Sequence, residues 1–214
     1  MAIQTVIFDL DGTLLYSLED LKDSVNFVMK KHGFREYTIG EVREAIGNGV
    51  RLLMERLLPE DIDKSLFEEC LAEFKENYSK NMYNKTKAYE GVLDMLKALR
   101  EEGYKIAVLS NKFDSAVKEL CDKYFGELVD LAVGQKEGIK EKPSPLGIQE
   151  IAKELGTDIE ACIMVGDSEV DIQTANNAGI DCISVTWGYK NIDFLYDNGA
   201  SKLVYAPEDI LELL

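Results

Sequence analysis

"TVIFDLDGTLLYS", residues 5–17, sets two aspartates one residue apart at the end of a run of β-branched and aromatic apolar residues. A run of that composition reads as a buried strand. Gly12 and Thr13 then turn the chain, which brings Asp9 and Asp11 to the carboxyl edge of a sheet, where open α/β folds hold ligands. The period of two places both side chains on one face. Two carboxylates that close repel, so the doublet asks for a cation.

Outward from this stretch, strand patterns recur at residues 104–110, 129–133, 162–166, 182–186 and 202–205, after the first at 5–9. Most are continuous apolar runs, as expected of strands buried on both faces of a parallel sheet. Helical periodicity fills the intervals at 91–102, 114–124, 145–155 and 171–178. The alternation predicts an α/β fold, a Rossmann-like doubly wound parallel sheet. Between residues 17 and 85 the rhythm breaks, and only amphipathic helices are legible, at 18–32, 38–46, 50–58 and 64–83. The expected organisation is therefore a core of residues 1–16 and 86–214 with an inserted helical cap of residues 17–85. Its return hinge falls near 84–89.

The 214 residues, 46% of them hydrophobic, are enough for one core carrying a smaller insertion. A formal charge of −16 repels polyanions and disfavours nucleic-acid binding. No apolar run approaches the roughly 20 residues that span a bilayer, and Met1 leads into a strand rather than a basic and then apolar leader. Cys70, Cys121, Cys162 and Cys182 are scattered without a C-x-x-C pair and read as reduced thiols. These features predict a cytoplasmic protein with no membrane partner; they leave monomer and homodimer both open.

Four short signals fall at the carboxyl ends of four strands: Asp9-Leu10-Asp11-Gly12-Thr13; Ser110-Asn111-Lys112; Lys142 in "KEKPSP"; and "VGDSEVD", with Asp167 and Asp171. Singly, each has a structural alternative. Ser110, Asn111 and Asp167 are good helix caps, and Lys142 could be one more solvated loop lysine beside Lys136 and Lys140. Together they supply what phosphoryl transfer needs: a nucleophile, a cation, donors for the remaining charge and a proton for the leaving oxygen. Asp9 is the candidate nucleophile and Asp11 the candidate acid and base. Asp9, Asp11 and Asp167, a backbone carbonyl among their ligating atoms, form a candidate Mg²⁺ site. Its oxygen donors suit that ion. Ser110, the amide at Asn111 and Lys142 are the candidate phosphate donors.

The order and spacing of these motifs resemble the haloacid dehalogenase superfamily of aspartate-nucleophile phosphatases, over essentially the whole chain. The resemblance implies an aspartyl-phosphate on Asp9, a phosphoryl group held by Ser110 and Lys142, a Mg²⁺ site completed by Asp167, and Asp171 steering Lys142 or a metal-bound water. Within the superfamily, "IGNGVRLLMERLL" (residues 46–58) and "VTWGY" (185–189) resemble phosphoglycolate phosphatases. The expected substrate is a small phosphorylated metabolite, phosphoglycolate first. A β-phosphoglucomutase-like phosphosugar mutase and a phosphate-ligand sensor on the same fold are the alternatives. Gly47 and Gly49 suit a helix-helix turn as well as a substrate loop, and Arg51 and Arg56 suit a solvated helix face as well as a substrate carboxylate. Trp187 reads as packing and His32 as bland. Tyr16 stands where many relatives have a small acid, which leaves the chemistry intact and bears on the substrate.

Overall fold

β1 (Thr5–Phe8) is buried at every position and lies inside a six-stranded sheet. Its partners are β4 (Lys105–Phe113) and β6 (Cys162–Gly166), both parallel to it. With β5 (Leu131–Gln135), β7 (Cys182–Val185) and β8 (Lys202–Val204), the order is β5-β4-β1-β6-β7-β8. The chain builds one side of β1 and then crosses to the other. The carboxyl end of β1 is thus the switch point at which doubly wound sheets bind ligands. The structure is a computed structural model describing residues 2–136 and 140–214. Met1, on which the reading of the chain's start rests, lies outside the described residues.

Successive residues of β1 face opposite layers. Val6 and Phe8 join the larger apolar cluster, and Ile7 joins a second one with Ala107, Leu109 and Met164. Helices α5 (Val92–Glu101) and α6 (Asp114–Phe125) bury their apolar faces in the first layer. Helix α7 (Leu146–Leu155) packs on the second, and α8 (Glu169–Ala178) contributes Ala175 to it. Both faces of the sheet are covered, which is why its strands are continuous apolar runs rather than alternating ones.

The chain from 18 to 81 holds α1 (Leu18–Lys31), α2 (Ile39–Ala45), α3 (Gly49–Leu57) and α4 (Lys64–Asn81). Helix α2 starts at a capping box: Thr38 Oγ1 accepts from the Glu41 amide at 3.3 Å, and Glu41 accepts from the Thr38 amide at 2.8 Å. Asp63 caps α4 by accepting from the Ser65 amide at 2.7 Å. The chain leaves and re-enters the core through a two-stranded antiparallel ribbon, β2 (Leu15–Tyr16) with β3 (Lys87–Ala88). The buried Asp20 carboxylate ties this crossing by accepting from the Thr86 amide and hydroxyl at 2.8 and 2.9 Å. Met29, Met54, Phe74 and Tyr78 of these helices join the same apolar cluster as Val6 and Phe8. The helical segment and the sheet therefore share one hydrophobic layer.

Three features differ from the sequence reading. The strand expected at 129–133 begins at Leu131, because the Asp130 carboxylate takes the Ile106 amide at 2.8 Å and occupies the place of a ladder partner. The strand expected to stop at Ser110 runs on to Phe113, with a shift of register between Leu109 and Phe113. The ribbon β2–β3 and the short helix α9 (Ile192–Asp197) were not expected. Elements of two and six residues carry too little periodicity to read. Among the described residues no helix is long and apolar enough to cross a membrane.

Candidate active site

Asp9 follows β1, with its amide held by the Val165 carbonyl at 2.8 Å, so its side chain leaves the sheet at the carboxyl edge. Lys142 reaches it from the loop before α7. The Lys142 Nζ donates to Asp9 Oδ1 at 2.7 Å and to Asp171 Oδ1 at 2.6 Å. All three side chains are buried, Asp171 completely. An ammonium bridging two buried carboxylates is not a solvated loop lysine, so this alternative falls for Lys142.

The helix-cap alternatives resolve residue by residue. Ser168 is the N-cap of α8, and Asp171 closes the cap by accepting from the Ser168 hydroxyl at 2.7 Å and amide at 3.2 Å. Asp167 is left to face the cleft, where its Oδ2 accepts from the Tyr189 amide at 2.7 Å. Gly12, at φ +91°, and Gly188 pass so close to the Asp167 carboxylate that a Cβ on either would collide with it. Only glycine fits these two crossings. Asn111 caps nothing: Oδ1 accepts from the Lys142 amide at 2.7 Å while Nδ2 donates to the Lys142 carbonyl at 3.0 Å and the Gly47 carbonyl at 3.2 Å. Its side chain therefore clamps the lysine loop to β4 and touches the helical segment, a use the sequence did not disclose. Ser110 lines the cleft and its Oγ accepts from the Lys112 amide at 3.3 Å.

Carboxylate oxygens of Asp9, Asp167 and Asp171 lie within 4.8 Å of one another. The Asp11 carboxylate stands apart from this trio. Its Oδ2 pairs with Lys112 Nζ at 2.9 Å, and its Oδ1 accepts from the Ser17 hydroxyl. Burial pushes the Asp9 carboxyl up to about 7, against the pull of Lys142 and with the help of Asp171. Burial, then Asp9 and Asp171, hold Asp167 well above the usual carboxylate range. Three acids share one ammonium, so the cluster is short of positive charge, and an all-oxygen donor set of this kind fits a hard divalent cation. A second acidic group, His32 with Glu69 and Glu73, already carries the Lys31 ammonium on Glu73 at 2.6 Å. His32 Nε2 donates to the Glu73 carboxylate at 2.8 Å and is not among the residues that line the cleft.

The cleft above these groups has about 650 Å³ of free space when its open mouth is counted. The helical segment roofs it with Ile46, Gly47, Gly49, Val50 and Leu53. Its arginines take the structural alternative. Arg51 makes a bidentate pair with Glu68 at 3.0 and 2.9 Å, and Arg56 donates to the Ala45 carbonyl at 2.6 Å and Asn48 at 2.8 Å. Trp187 Nε1 donates to the Thr13 carbonyl at 3.0 Å and fastens the late core loop to the first turn. Tyr16, in strand β2 of the ribbon, packs edge-on to Tyr89 and Tyr189 and does not line the cleft. The thiols are free, and burial pushes Cys121 up to about 12, so it is no nucleophile at neutral pH.

With this geometry in view, the sequence profile described as haloacid dehalogenase-like hydrolase matches residues 6–185. The chain belongs to this family of hydrolases. The phosphoglycolate phosphatase of Aquifex aeolicus (strain VF5) is 33% identical over 218 residues, covering 99% of this chain and 97% of that protein. That of Aliivibrio fischeri (strain ATCC 700601 / ES114) is 30% identical over 203 residues, covering 92% and 89%. A crystal structure from Lactobacillus delbrueckii subsp. bulgaricus, described as a candidate phosphoglycolate phosphatase, superposes with a TM-score of 0.94 at 34% identity, over 100% of this chain and 98% of that one. The haloacid dehalogenase-like fold thus extends over the whole chain, and the four motifs of the sequence meet at the carboxyl edge of its sheet. Lys112 is the residue at this edge that sequence reasoning left without a role. Its signal was present, a lysine closing the polar triplet Ser110-Asn111-Lys112 that follows the apolar run of β4.

Proposed function

We propose that this haloacid dehalogenase-like hydrolase is a Mg²⁺-dependent phosphatase of small phosphate monoesters, with phosphoglycolate as its first substrate. The observation that carries the reading is the Lys142 ammonium bridging Asp9 and Asp171 beneath the roofed cleft. Asp9 and Asp167 would hold the ion, with Asp11 contributing only through its main-chain carbonyl, since its carboxylate is engaged elsewhere. When bound, the ion supplies positive charge to the phosphoryl oxygens and to the crowded acids.

The chain's own groups do the rest. Ser110 and Lys142 bind and orient the phosphoryl oxygens. An Asp9 oxygen attacks phosphorus in line, forming an aspartyl-phosphate as the bond to the leaving oxygen breaks. Asp11 gives that oxygen a proton, and the alcohol departs. Asp11 then takes a proton from water, which attacks the aspartyl-phosphate, returns Asp9 and releases inorganic phosphate. The apolar and glycine roof leaves room for a substrate with a small organic group. The named activity of the Aquifex and Aliivibrio relatives supports phosphoglycolate among such esters.

Incubation with phosphoglycolate and Mg²⁺ is expected to release stoichiometric phosphate. With β-glucose 1-phosphate and a bisphosphorylated sugar as primer, no glucose 6-phosphate is expected, because a mutase must exclude water between its half-reactions. Efficient isomerisation with little phosphate release would overturn the hydrolase reading.

Cation binding is also expected to read out as stability. The Asp9 carboxyl lies at about 7 when folded against an ordinary 3.8, so the folded state holds an extra proton between these values. Stability from this group is therefore lost as pH rises toward 7, and a cation that takes the ionised carboxylate restores it. At roughly 100 times its dissociation constant, Mg²⁺ should stabilise by about 2.7 kcal/mol, or roughly 5–10 °C in Tm. The rise should be large at pH 8, small at pH 5 and absent in Asp167→Asn. An equal rise at both pH values would contradict the assigned cluster.

A further inference from the structure

We propose that Lys112 is a positioning residue for Asp11, and that Tyr78 makes this position depend on the helical segment. The inference rests on the reading of Asp11 as the proton donor. Lys112 lies near the carboxyl end of β4, three residues past its apolar run, with its side chain only 3% exposed, and a buried ammonium needs partners to stay charged. It has two, Asp11 Oδ2 at 2.9 Å and the Tyr78 hydroxyl at 2.9 Å, with the Tyr78 ring centroid 4.4 Å away. Asp9 and Asp171 already share Lys142, so Lys112 serves Asp11 and not the nucleophile.

The two oxygens of Asp11 are held from two directions. Ser17, the N-cap of α1, donates to Oδ1, and Lys112 holds Oδ2. Among the described residues no other side chain bonds either oxygen. Tyr78 is fully buried on α4, stacked on Phe74 at 5.8 Å and set edge-on to Phe113 at 6.2 Å, so its hydroxyl is a fixed acceptor for Lys112. Ser17 and Tyr78 stand at the first and last helices of the insert. One contact to Asp11 therefore comes directly from the helical segment, and the other comes from a β4 lysine whose ammonium that segment holds through Tyr78. A shift of these helices against the sheet re-aims the carboxylate that must face the leaving oxygen, whereas Asp9 and Lys142 are held by the core alone.

Specificity constants for phosphoglycolate and p-nitrophenyl phosphate test this, because kcat/KM stops at departure of the leaving group. The alkoxide of phosphoglycolate needs a proton and nitrophenolate hardly does. Asp11→Asn and Lys112→Met should each lose about 10- to 100-fold on phosphoglycolate and less than about threefold on p-nitrophenyl phosphate. Tyr78→Phe should show the same split at about three- to tenfold. The double variant Lys112→Met/Asp11→Asn should be no slower than Asp11→Asn, since residues acting as a unit are not additive. Equal losses on both substrates in Lys112→Met, or additive losses in the double variant, would overturn the proposal. Additivity would assign Lys112 to direct contact with the substrate carboxylate. Should Lys112→Met fail to fold, an unchanged substrate ratio in Tyr78→Phe overturns it instead. Equal losses in Asp11→Asn would refute the proton-donor reading itself, whereas a split in Asp11→Asn without one in Lys112→Met refutes only the role of Lys112.

Discussion

Asp9→Asn is expected to lower phosphate release on the order of 10⁴-fold or more, because an amide neither attacks phosphorus nor ligates a hard cation well. The fold should survive the change. Lys142 keeps its second partner, Asp171 Oδ1 at 2.6 Å, and the buried position loses a charge that burial already disfavours. Tm in the absence of divalent cation should therefore hold or rise at pH 8, where the native Asp9 carboxyl is ionised. Acid-quenched protein after incubation with ³²P-labelled substrate should carry label in the native chain and none in the variant. Turnover near the native rate in Asp9→Asn would remove the aspartyl-phosphate mechanism altogether.

Lys142→Ala is expected to lose about 10²–10³-fold in activity and to destabilise the protein by about 3–5 kcal/mol, the range for breaking a buried ion pair by deleting one partner. Two carboxylates are then buried together with no ammonium between them. Even with Lys142 present, burial lifts Asp9 to about 7, and without it the carboxyl goes higher. The variant's stability should therefore fall as pH rises through neutrality, and its Tm deficit should be larger at pH 8 than at pH 6. Lys140→Ala is the contrast, because Lys140 is exposed and a surface substitution stays within about 0.5 kcal/mol. Thermal melts at the two pH values with phosphate-release rates decide the matter. A damaged Lys140→Ala beside an intact Lys142→Ala would show that the wrong lysine had been placed at the nucleophile.

The motifs were legible because each sits in or after the carboxyl-terminal part of a strand, a place marked locally by an apolar run followed by polar or turn residues. Asp9, Ser110, Lys142 and Asp167 needed only that rule to be set on one sheet edge. Their partners needed more. Asn111 read as a helix cap, yet its amide spans the Lys142 main chain and the Gly47 carbonyl, contacts 31 and 64 residues away in sequence. Arg51 and Arg56 read equally as substrate cations or helix-face residues, and Glu68 and the Ala45 carbonyl decided between them. The ribbon β2–β3 pairs residues too few to carry a period of two, although both crossings of the helical segment pass through it.

The sequence alone determined the parallel α/β class, the helical interruption after the first strand and the acids and lysine of the candidate site. Continuous apolar runs, helical periodicity and turn residues are local, written within a few positions of one another. Tertiary structure decided which charge meets which. It gave Lys142 to Asp9, 133 residues away, it set Asp11 apart on Ser17 and Lys112, and it brought Tyr78 of the last inserted helix to Lys112. The reason is that a buried charge must find a partner wherever packing brings one, and which residues packing brings together depends on how the sheet and the helices over its edge close as a whole.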